Sequence, residues 1–141
     1  MFQWEGRDHE SIKILKHKNI DMSGYKDQLK LKMDVFVHGI FDATIKFPRE
    51  EIYITTSQLK RAALSIILNY TEGYARFKPK MQLNFLETAY GSLKESEYLL
   101  DFSLRRNFID QTIYDKLKAQ IDEIGAMLWT EISSLQKSVD E

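Results

Sequence analysis

Six polar residues recur at spacings of three and four within one segment of this chain, residues 58–76. They are Gln58, Arg61, Ser65, Asn69, Glu72 and Arg76. Because an α-helix turns by about 100° per residue, these side chains occupy an arc of roughly 80° on one side of a helix. Side chains of these types can transfer protons in an active site, and they can also hydrogen-bond to a packed neighbour. Apolar residues fill the adjoining sector, so the segment predicts a helix with a core face and an ordered polar face.

This polar face has two interpretations. In the first it is solvated, and Glu72 and Arg76 form a surface pair worth about a few tenths of a kcal/mol. In the second it is partly covered, because serine and asparagine are poor choices for the middle of an exposed helix. The flanking residues Leu64 and Leu68 favour the second interpretation. A covered polar face needs hydrogen-bond partners, and we expect them around Gly91 in the next helix.

The candidate partners are Ser92, Lys94 and Glu95, and we expect Glu95 to pair with Arg61 or Arg76, between helices or between subunits. Small residues on both segments permit close approach of the two helix backbones; they are Ala62, Ala63, Ser65, Gly73, Ala89, Gly91 and Ser92. We therefore interpret the polar face less as an active site than as part of a signature of structure and assembly. The residues of this signature are Ser65, Asn69, Glu72, Gly73, Gly91, Ser92 and Glu95.

Catalytic and metal-binding patterns are missing from the sequence. A di-iron centre in a helical bundle needs Glu-x-x-His pairs, which do not occur, and the only histidines are His9, His17 and His38. There are no cysteines, so thiolate metal sites, disulfides and cysteine nucleophiles are excluded. Ser65 and Ser92 have no recognisable base or oxyanion loop, and no glycine-rich phosphate-binding loop is found. We predict no enzymatic activity, catalytic residue, cofactor, metal or small-molecule substrate.

The overall charge argues against binding of nucleic acid by bulk electrostatics. The chain has 20 lysines and arginines against 21 acidic residues, which gives a net charge of −1. A local basic surface is still compatible with this balance, and its candidates are Lys60, Arg61, Arg76, Lys78 and Lys80. Acidic residues interrupt this surface, but repetition around a symmetric oligomer would multiply its potential. These five residues are the candidate surface for RNA or for a protein partner.

Length and hydropathy predict one soluble domain. A chain of 141 residues fits a single domain with its own core. The N-terminus lacks the uninterrupted apolar core of a signal peptide, and no apolar run approaches the roughly 20 residues that span a bilayer. We therefore expect a cytoplasmic protein without a membrane partner.

Long stretches of 3.6-residue periodicity, interrupted by only two prolines and six glycines, predict an all-α protein. The first helix should cover residues 25–46 and end at Phe47-Pro48. The second should begin within residues 49–52 and end near residues 77–78, and the third should run from Pro79 to a stop at Asn107. The fourth should follow Asp110 as N-cap. Short connections favour an antiparallel up-down-up-down four-helix bundle over residues 25–141, with residues 1–24 as an N-terminal extension.

The second helix carries the pattern R-A-A-x-S-I-x-x-N-x-x-E-G-x-x-R. It is formed by Arg61, Ala62, Ala63, Ser65, Ile66, Asn69, Glu72, Gly73 and Arg76. Matching positions continue through Phe47-Pro48, Glu50 and Glu51, and on the third helix through Phe85, Leu86, Ala89, Gly91, Ser92, Glu95 and Leu99. The combined pattern, over about residues 25–137, resembles the bacterial four-helix bundle proteins encoded by intervening sequences of 23S rRNA genes.

This resemblance implies a homopentameric barrel of bundles without known enzymatic activity. It also implies kinship with the accessory variability determinant of diversity-generating retroelements, which works with a reverse transcriptase and RNA. The leading hypothesis is therefore a non-enzymatic oligomeric scaffold that binds RNA or a nucleic-acid-handling protein. The alternative is a retroelement accessory protein that binds a reverse transcriptase and template RNA. An enzyme site at a subunit junction, built from Arg61, Asn69, Glu72 and Glu95, is the third hypothesis, but these residues lack catalytic spacing.

Overall fold

Four long helices make up most of residues 22–141, the part of the chain that the computed structural model describes. Helix α1 spans Met22–Thr44, α2 spans Ser57–Tyr74, α3 spans Pro79–Arg105 and α4 spans Gln111–Asp140. No strand occurs among these described residues, and the all-α prediction is confirmed. Helix α1 begins at Met22 rather than at Tyr25. The predicted N-terminal extension otherwise lies outside the described residues.

The helices form a closed ring of neighbours. Helix α2 packs against α1 and α3, and α4 packs against α3 and α1. Four residues connect α2 to α3 and five connect α3 to α4. Connections this short return the chain directly alongside the preceding helix, so neighbouring helices run antiparallel. The predicted four-helix bundle is confirmed.

The connection between α1 and α2 contains more structure than the sequence indicated. Helix α1 ends at Thr44 rather than Lys46. Helical structure then resumes at the predicted position, but as a 3₁₀ turn over Arg49–Glu51 and a π-helical segment over Ile52–Thr56. Regular α-helix begins only at Ser57. Two adjacent residues of the π-helical segment, Thr55 and Thr56, are buried.

The remaining helix ends follow local stereochemistry. Helix α2 ends at Tyr74, earlier than predicted, and α3 begins at Pro79 as predicted. Asn107 adopts a left-handed φ of 61° after α3, a conformation common just beyond helix C-termini. The Asp110 carboxylate then accepts a hydrogen bond from the Ile113 amide at 2.8 Å, which confirms it as the N-cap of α4.

One apolar core fills the space between the four helices. Each helix contributes one apolar side to it, and the buried residues include Leu29, Met33, Phe36, Val37, Ile40, Leu86, Ala89, Leu93, Leu100, Leu117, Ile121, Ile124 and Leu128. Burial of each large apolar side chain contributes about 1.5–3 kcal/mol. The core therefore holds the polar faces of α2 and α3 in a defined relative position.

Candidate functional site

A small hydrogen-bonded cluster joins the polar face of α2 to α3. The Ser92 hydroxyl donates to Ser65 Oγ at 2.8 Å. The Asn69 side-chain amide donates to the Ser65 carbonyl at 2.8 Å and to Ser65 Oγ at 2.9 Å. All three residues are half-buried, and we call them the α2–α3 seam. Ser92 thus provides the hydrogen-bonding partner on α3 that a partly covered polar face requires.

Gly73 allows the same two helices to approach closely near the end of α2. A Cβ atom at this position would lie 2.8 Å from Leu86 Cδ1 and 3.0 Å from Phe85 Cβ. Real Cβ atoms do not approach their neighbours so closely, so a side chain here would push α3 away from α2. The predicted close approach is therefore present at Gly73. Its role in assembly between chains stays a prediction.

Gly91 and Glu95 lie on the solvent side of the helix pair rather than between the helices. A Cβ atom at Gly91 would meet nothing within 4 Å, so the prediction that Gly91 brings α3 close to α2 is wrong. The reason is helical phase, because Gly91 points about 100° away from Ser92 around α3. We call this solvent side the outer face; it includes exposed Arg61, Leu64, Leu68 and Glu72 of α2 and exposed Gly91, Glu95 and Tyr98 of α3.

The two arginines of the polar face of α2 have partners close to them in the chain. Arg61 donates to Ser57 Oγ at 3.1 Å, and Arg76 forms an ion pair with Glu72. Among the described residues Glu95 forms no ion pair, so its predicted pairing with either arginine inside one chain is wrong. Partners four residues away are already in reach, so the arginines do not need α3. The predicted pairing between subunits stays a prediction.

The five candidate basic residues separate into two groups. Lys60 and Arg61 lie near the start of α2, while Arg76, Lys78 and Lys80 surround the turn into α3. From Arg61 to the end of α2 at Tyr74 the helix rises by about 20 Å, at about 1.5 Å per residue, so the two groups lie at opposite ends of α2. Lys60 Nζ lies 4.6 Å from the centroid of the Phe41 ring. A single chain therefore does not form one continuous basic surface from these five residues.

Glu131 of α4 is a buried acidic residue that the sequence did not single out. Its side chain is fully buried. The Tyr74 hydroxyl donates to Glu131 Oε2 at 3.0 Å, while Glu131 Oε1 has no hydrogen-bond partner among the described residues. Burial raises the pKa of Glu131 above its usual value, against the opposing effects of the two nearby phenol hydroxyls and the Lys26 ammonium. Burial therefore disfavours the charged carboxylate relative to that of an exposed glutamate.

Two tyrosines of α2 enclose this carboxyl. The Tyr70 and Tyr74 rings meet edge to face at 5.1 Å between centroids, and the buried Tyr70 hydroxyl lacks a hydrogen-bond partner within residues 22–141. Burial and the nearby Glu131 charge raise the pKa of both phenols. We call Tyr70, Tyr74 and Glu131 the Glu131 cluster. On the α1 side, Lys26 Nζ lies 4.0 Å from the Tyr74 ring centroid and the Tyr25 hydroxyl donates to the Met127 carbonyl at 3.0 Å.

The sequence did contain a weak signal for this cluster. Glu131 follows Leu128 by three residues and precedes Leu135 by four, which places a glutamate within the apolar seam of α4. Tyr70 and Tyr74 are likewise four residues apart on α2. Neither pattern predicts that the two helices bring these side chains together.

The described part of the chain has no group of histidine, aspartate and glutamate side chains arranged to hold a metal ion. His38 is exposed on α1, with Nε2 3.6 Å from the Asp34 carboxylate, whereas His9 and His17 lie outside the described residues. No helix within residues 22–141 combines the length and the apolar character needed to cross a membrane. The expectation that the protein uses no metal, cofactor or catalytic residue stays a prediction.

Comparisons with known proteins agree on the fold. The model of the 23S rRNA-intervening sequence protein family matches residues 27–130. A similar solved structure is the 1.70 Å crystal structure of a protein of unknown function, from the S23 ribosomal protein family, of Bacteroides thetaiotaomicron VPI-5482. It has a TM-score of 0.72 and 23% sequence identity, and the alignment covers 77% of this chain and 98% of that chain. No match was found among curated proteins.

Proposed function

The chain belongs to the 23S rRNA-intervening sequence protein family, and from this premise we propose that it is a non-enzymatic scaffold that assembles with itself and binds RNA. The family resemblance supplies the expected assembly, a ring of five chains. Assembly comes first in this proposal, because the basic groups of one chain are few and separated. Repetition around a ring would bring several copies of each group to one RNA molecule.

The outer face is the observation that carries the assembly. Leu64 and Leu68 are 37% and 61% exposed there, and Gly91 has open space around it. Glycine inside a helix is less stable than alanine by about 1 kcal/mol, and nothing within the described chain requires glycine at position 91. Close approach of a second backbone to the outer face would explain both the glycine and the exposed leucines.

Light scattering of the purified full chain tests this assembly. Five chains of 16.6 kDa correspond to about 83 kDa. We expect Leu68→Glu and Gly91→Glu to lower the measured mass while the helical circular dichroism is retained. Ala119→Glu is the matched control, because Ala119 is exposed on α4, away from the outer face. A wild-type mass of one chain at micromolar concentration would exclude the assembly.

The turn between α2 and α3 is the best supported RNA-binding surface. Arg76, Lys78 and Lys80 lie within five residues and are all exposed. Lys78 and Lys80 form no ion pair with any described residue, so both ammonium groups are available to phosphates. Arg76 already forms an ion pair with Glu72, so we expect it to contribute less to RNA binding than the two lysines. Phosphate contacts of this kind give affinity that weakens steeply as salt concentration rises.

Binding of a structured RNA, measured at about 50 mM and about 200 mM salt, tests this surface. We expect Lys78→Gln combined with Lys80→Gln to weaken binding at low salt and to reduce the slope of log affinity against log salt. The matched control removes two exposed lysines of α4, Lys116 and Lys137, and should leave binding nearly unchanged. Absence of RNA binding at low salt would contradict the RNA-binding part of the proposal but not the self-assembly part.

The retroelement accessory role uses the same surface and adds a protein partner. A reverse transcriptase gene beside this one, together with co-purification of its product, would favour that role. A surrounding 23S rRNA gene would favour the intervening-sequence role.

A further inference from the structure

A cavity of about 280 Å³ opens at the corner where the chain passes from α1 to α2. Its volume is close to the lower end of the range for small-molecule sites, about 300 Å³. Phe41, Ile45, Phe47 and Ile52 supply apolar walls. Phe47 is buried, but Ile45 is 80% exposed and Ile52 is 47% exposed. The corner therefore presents apolar surface to whatever enters the cavity.

The charged groups of this cavity have one sign. Arg49 and Lys60 line it, and no carboxylate lines it within the described chain. Glu51 precedes Ile52 in the chain but does not line the cavity, and its carboxylate accepts a hydrogen bond from Thr55 at 2.6 Å. Arg49 forms no ion pair with any residue of the described part. A cavity with two cations and apolar walls is complementary to an anion with an apolar body.

Thr56 adds a polar group without a partner. It lines the cavity and is only 8% exposed, and its Oγ1 has no hydrogen-bond partner among residues 22–141. The two other threonines of this corner differ, because Thr55 donates to Glu51 and Thr44 donates to the Phe41 carbonyl at 3.1 Å. A buried hydroxyl without a partner is destabilising. Thr56 also ends the π-helical segment Ile52–Thr56, a rare element that often occurs at functional sites.

We propose that this corner binds a small amphipathic anion, an apolar group about the size of one ring that carries a carboxylate or a phosphate. The apolar group packs between Ile45 and Ile52. The anionic group lies between Arg49 and Lys60, and Lys60 leaves the Phe41 ring to meet it. The Thr56 hydroxyl donates to the same anionic group after rotation about its Cα–Cβ bond. This site is separate from the outer face and from the turn between α2 and α3.

Ligand-observed NMR on the full chain tests the proposal with three probes: 3-phenylpropionate, phenyl phosphate and the neutral 3-phenylpropanamide. We expect at least one anion to bind with a Kd of about 1 mM or tighter, which is attainable for a molecule of about eleven non-hydrogen atoms. The amide should bind at least tenfold more weakly. Tighter binding of phenylpropionate identifies an organic acid as the ligand class, and tighter binding of phenyl phosphate identifies a phosphate ester. Equal binding of the amide and both anions, or no binding, overturns the proposal.

Variants locate the binding at this corner. Arg49→Gln and Lys60→Gln should each weaken binding of the preferred anion about tenfold, whereas Lys137→Gln on α4 should not change it. Thr56→Val should weaken binding without lowering the melting temperature, since it removes an unpartnered hydroxyl, and Thr56→Ser should restore binding. Unchanged anion binding in all three of the Arg49, Lys60 and Thr56→Val variants overturns the assignment.

Discussion

The α2–α3 seam and the Glu131 cluster both place polar side chains between helices, but the polar atoms of the two regions have different surroundings. In the seam, Ser65, Asn69 and Ser92 are half-buried and linked by hydrogen bonds of 2.8 to 2.9 Å. In the cluster, Glu131 is fully buried. The carboxyl Oε1 and the Tyr70 hydroxyl have no hydrogen-bond partner among the described residues.

This difference shows how burial changes the consequence of a polar interaction. A half-buried hydroxyl that loses its partner can turn to water, so the loss costs little. A buried carboxyl has no such replacement, and its protonation becomes linked to folding. The two regions are adjacent on α2, because Asn69 belongs to the seam and Tyr70 belongs to the cluster. Substitutions in the seam and in the Glu131 cluster should therefore show how much each region contributes to stability.

The largest effect is expected for Glu131→Ala. This change leaves a cavity in the core and removes the acceptor of the Tyr74 hydroxyl, so we expect a loss of about 3 kcal/mol in the free energy of unfolding. Urea denaturation at a fixed protein concentration measures it. The control is Glu123→Ala, which removes a largely exposed α4 carboxylate paired with Lys32 at 2.6 Å and should cost less than about 1 kcal/mol. Equal losses in the two variants would contradict the difference in burial.

A matched pair of glycine substitutions should show the next largest effect. Gly73→Ala places a Cβ atom 2.8 Å from Leu86 Cδ1, and we expect the overpacking to cost about 1–3 kcal/mol. Gly91→Ala meets nothing within 4 Å inside the chain, so helix propensity should stabilise the isolated fold by about 0.5–1 kcal/mol. Thermal denaturation of both variants measures the contrast. A Gly73→Ala protein as stable as the wild type would show that α3 can move away from α2 without cost.

The dependence of stability on pH should distinguish the cluster from the seam. Because the pKa of Glu131 is raised in the folded state from a value of 4.5, the folded protein holds this proton more tightly than the unfolded chain. The resulting stability is fully present below about pH 4.5. It is lost as pH rises through the folded-state pKa.

Glu131→Gln keeps the shape of the side chain without the titration. We expect its melting temperature to exceed that of the wild type at neutral pH and the difference to shrink toward pH 4. Ser92→Ala should show no such pH dependence relative to the wild type. A constant difference between Glu131→Gln and wild type across this range would indicate that Glu131 does not titrate differently on folding.

The smallest effect is expected in the seam itself. Ser92→Ala removes one hydrogen bond to Ser65 Oγ, while Asn69 can still donate to that oxygen. We expect a loss of about 1 kcal/mol in unfolding free energy. Ser134→Ala, at an exposed position of α4, is the control and should be near zero. A loss above that of Glu131→Ala would reverse the comparison between the two regions.

Much of the fold followed from local signals. Periodicity located four helices, Pro79 began α3 and Asp110 capped α4, because these residues act on their own backbone neighbours. The α1–α2 connection was harder to predict. The π-helical segment Ile52–Thr56 has no strong local signature in composition, and its geometry depends on what Thr55 and Thr56 pack against.

The candidate residues were predictable only in part. The sequence indicated that Ser65 and Asn69 lie on a partly covered face and that Ser92 lies opposite, because the three share their helices' facing sides. The sequence did not distinguish Gly73, which is enclosed, from Gly91, which is open. Gly73 lies near the end of α2 and Gly91 lies near the middle of α3. Only the relative rotation of α2 and α3 separates their environments.

The sequence by itself determined the number of helices, their order, their inner faces and the family to which the chain belongs, since all of these depend on residue type and spacing along one chain. Only the tertiary structure decided three further features. It enclosed Glu131 between tyrosines of another helix, separated the environments of Gly73 and Gly91, and formed a cavity beside Thr56. Each feature depends on distances between different segments of the chain, and such distances are set by the packing of the whole core.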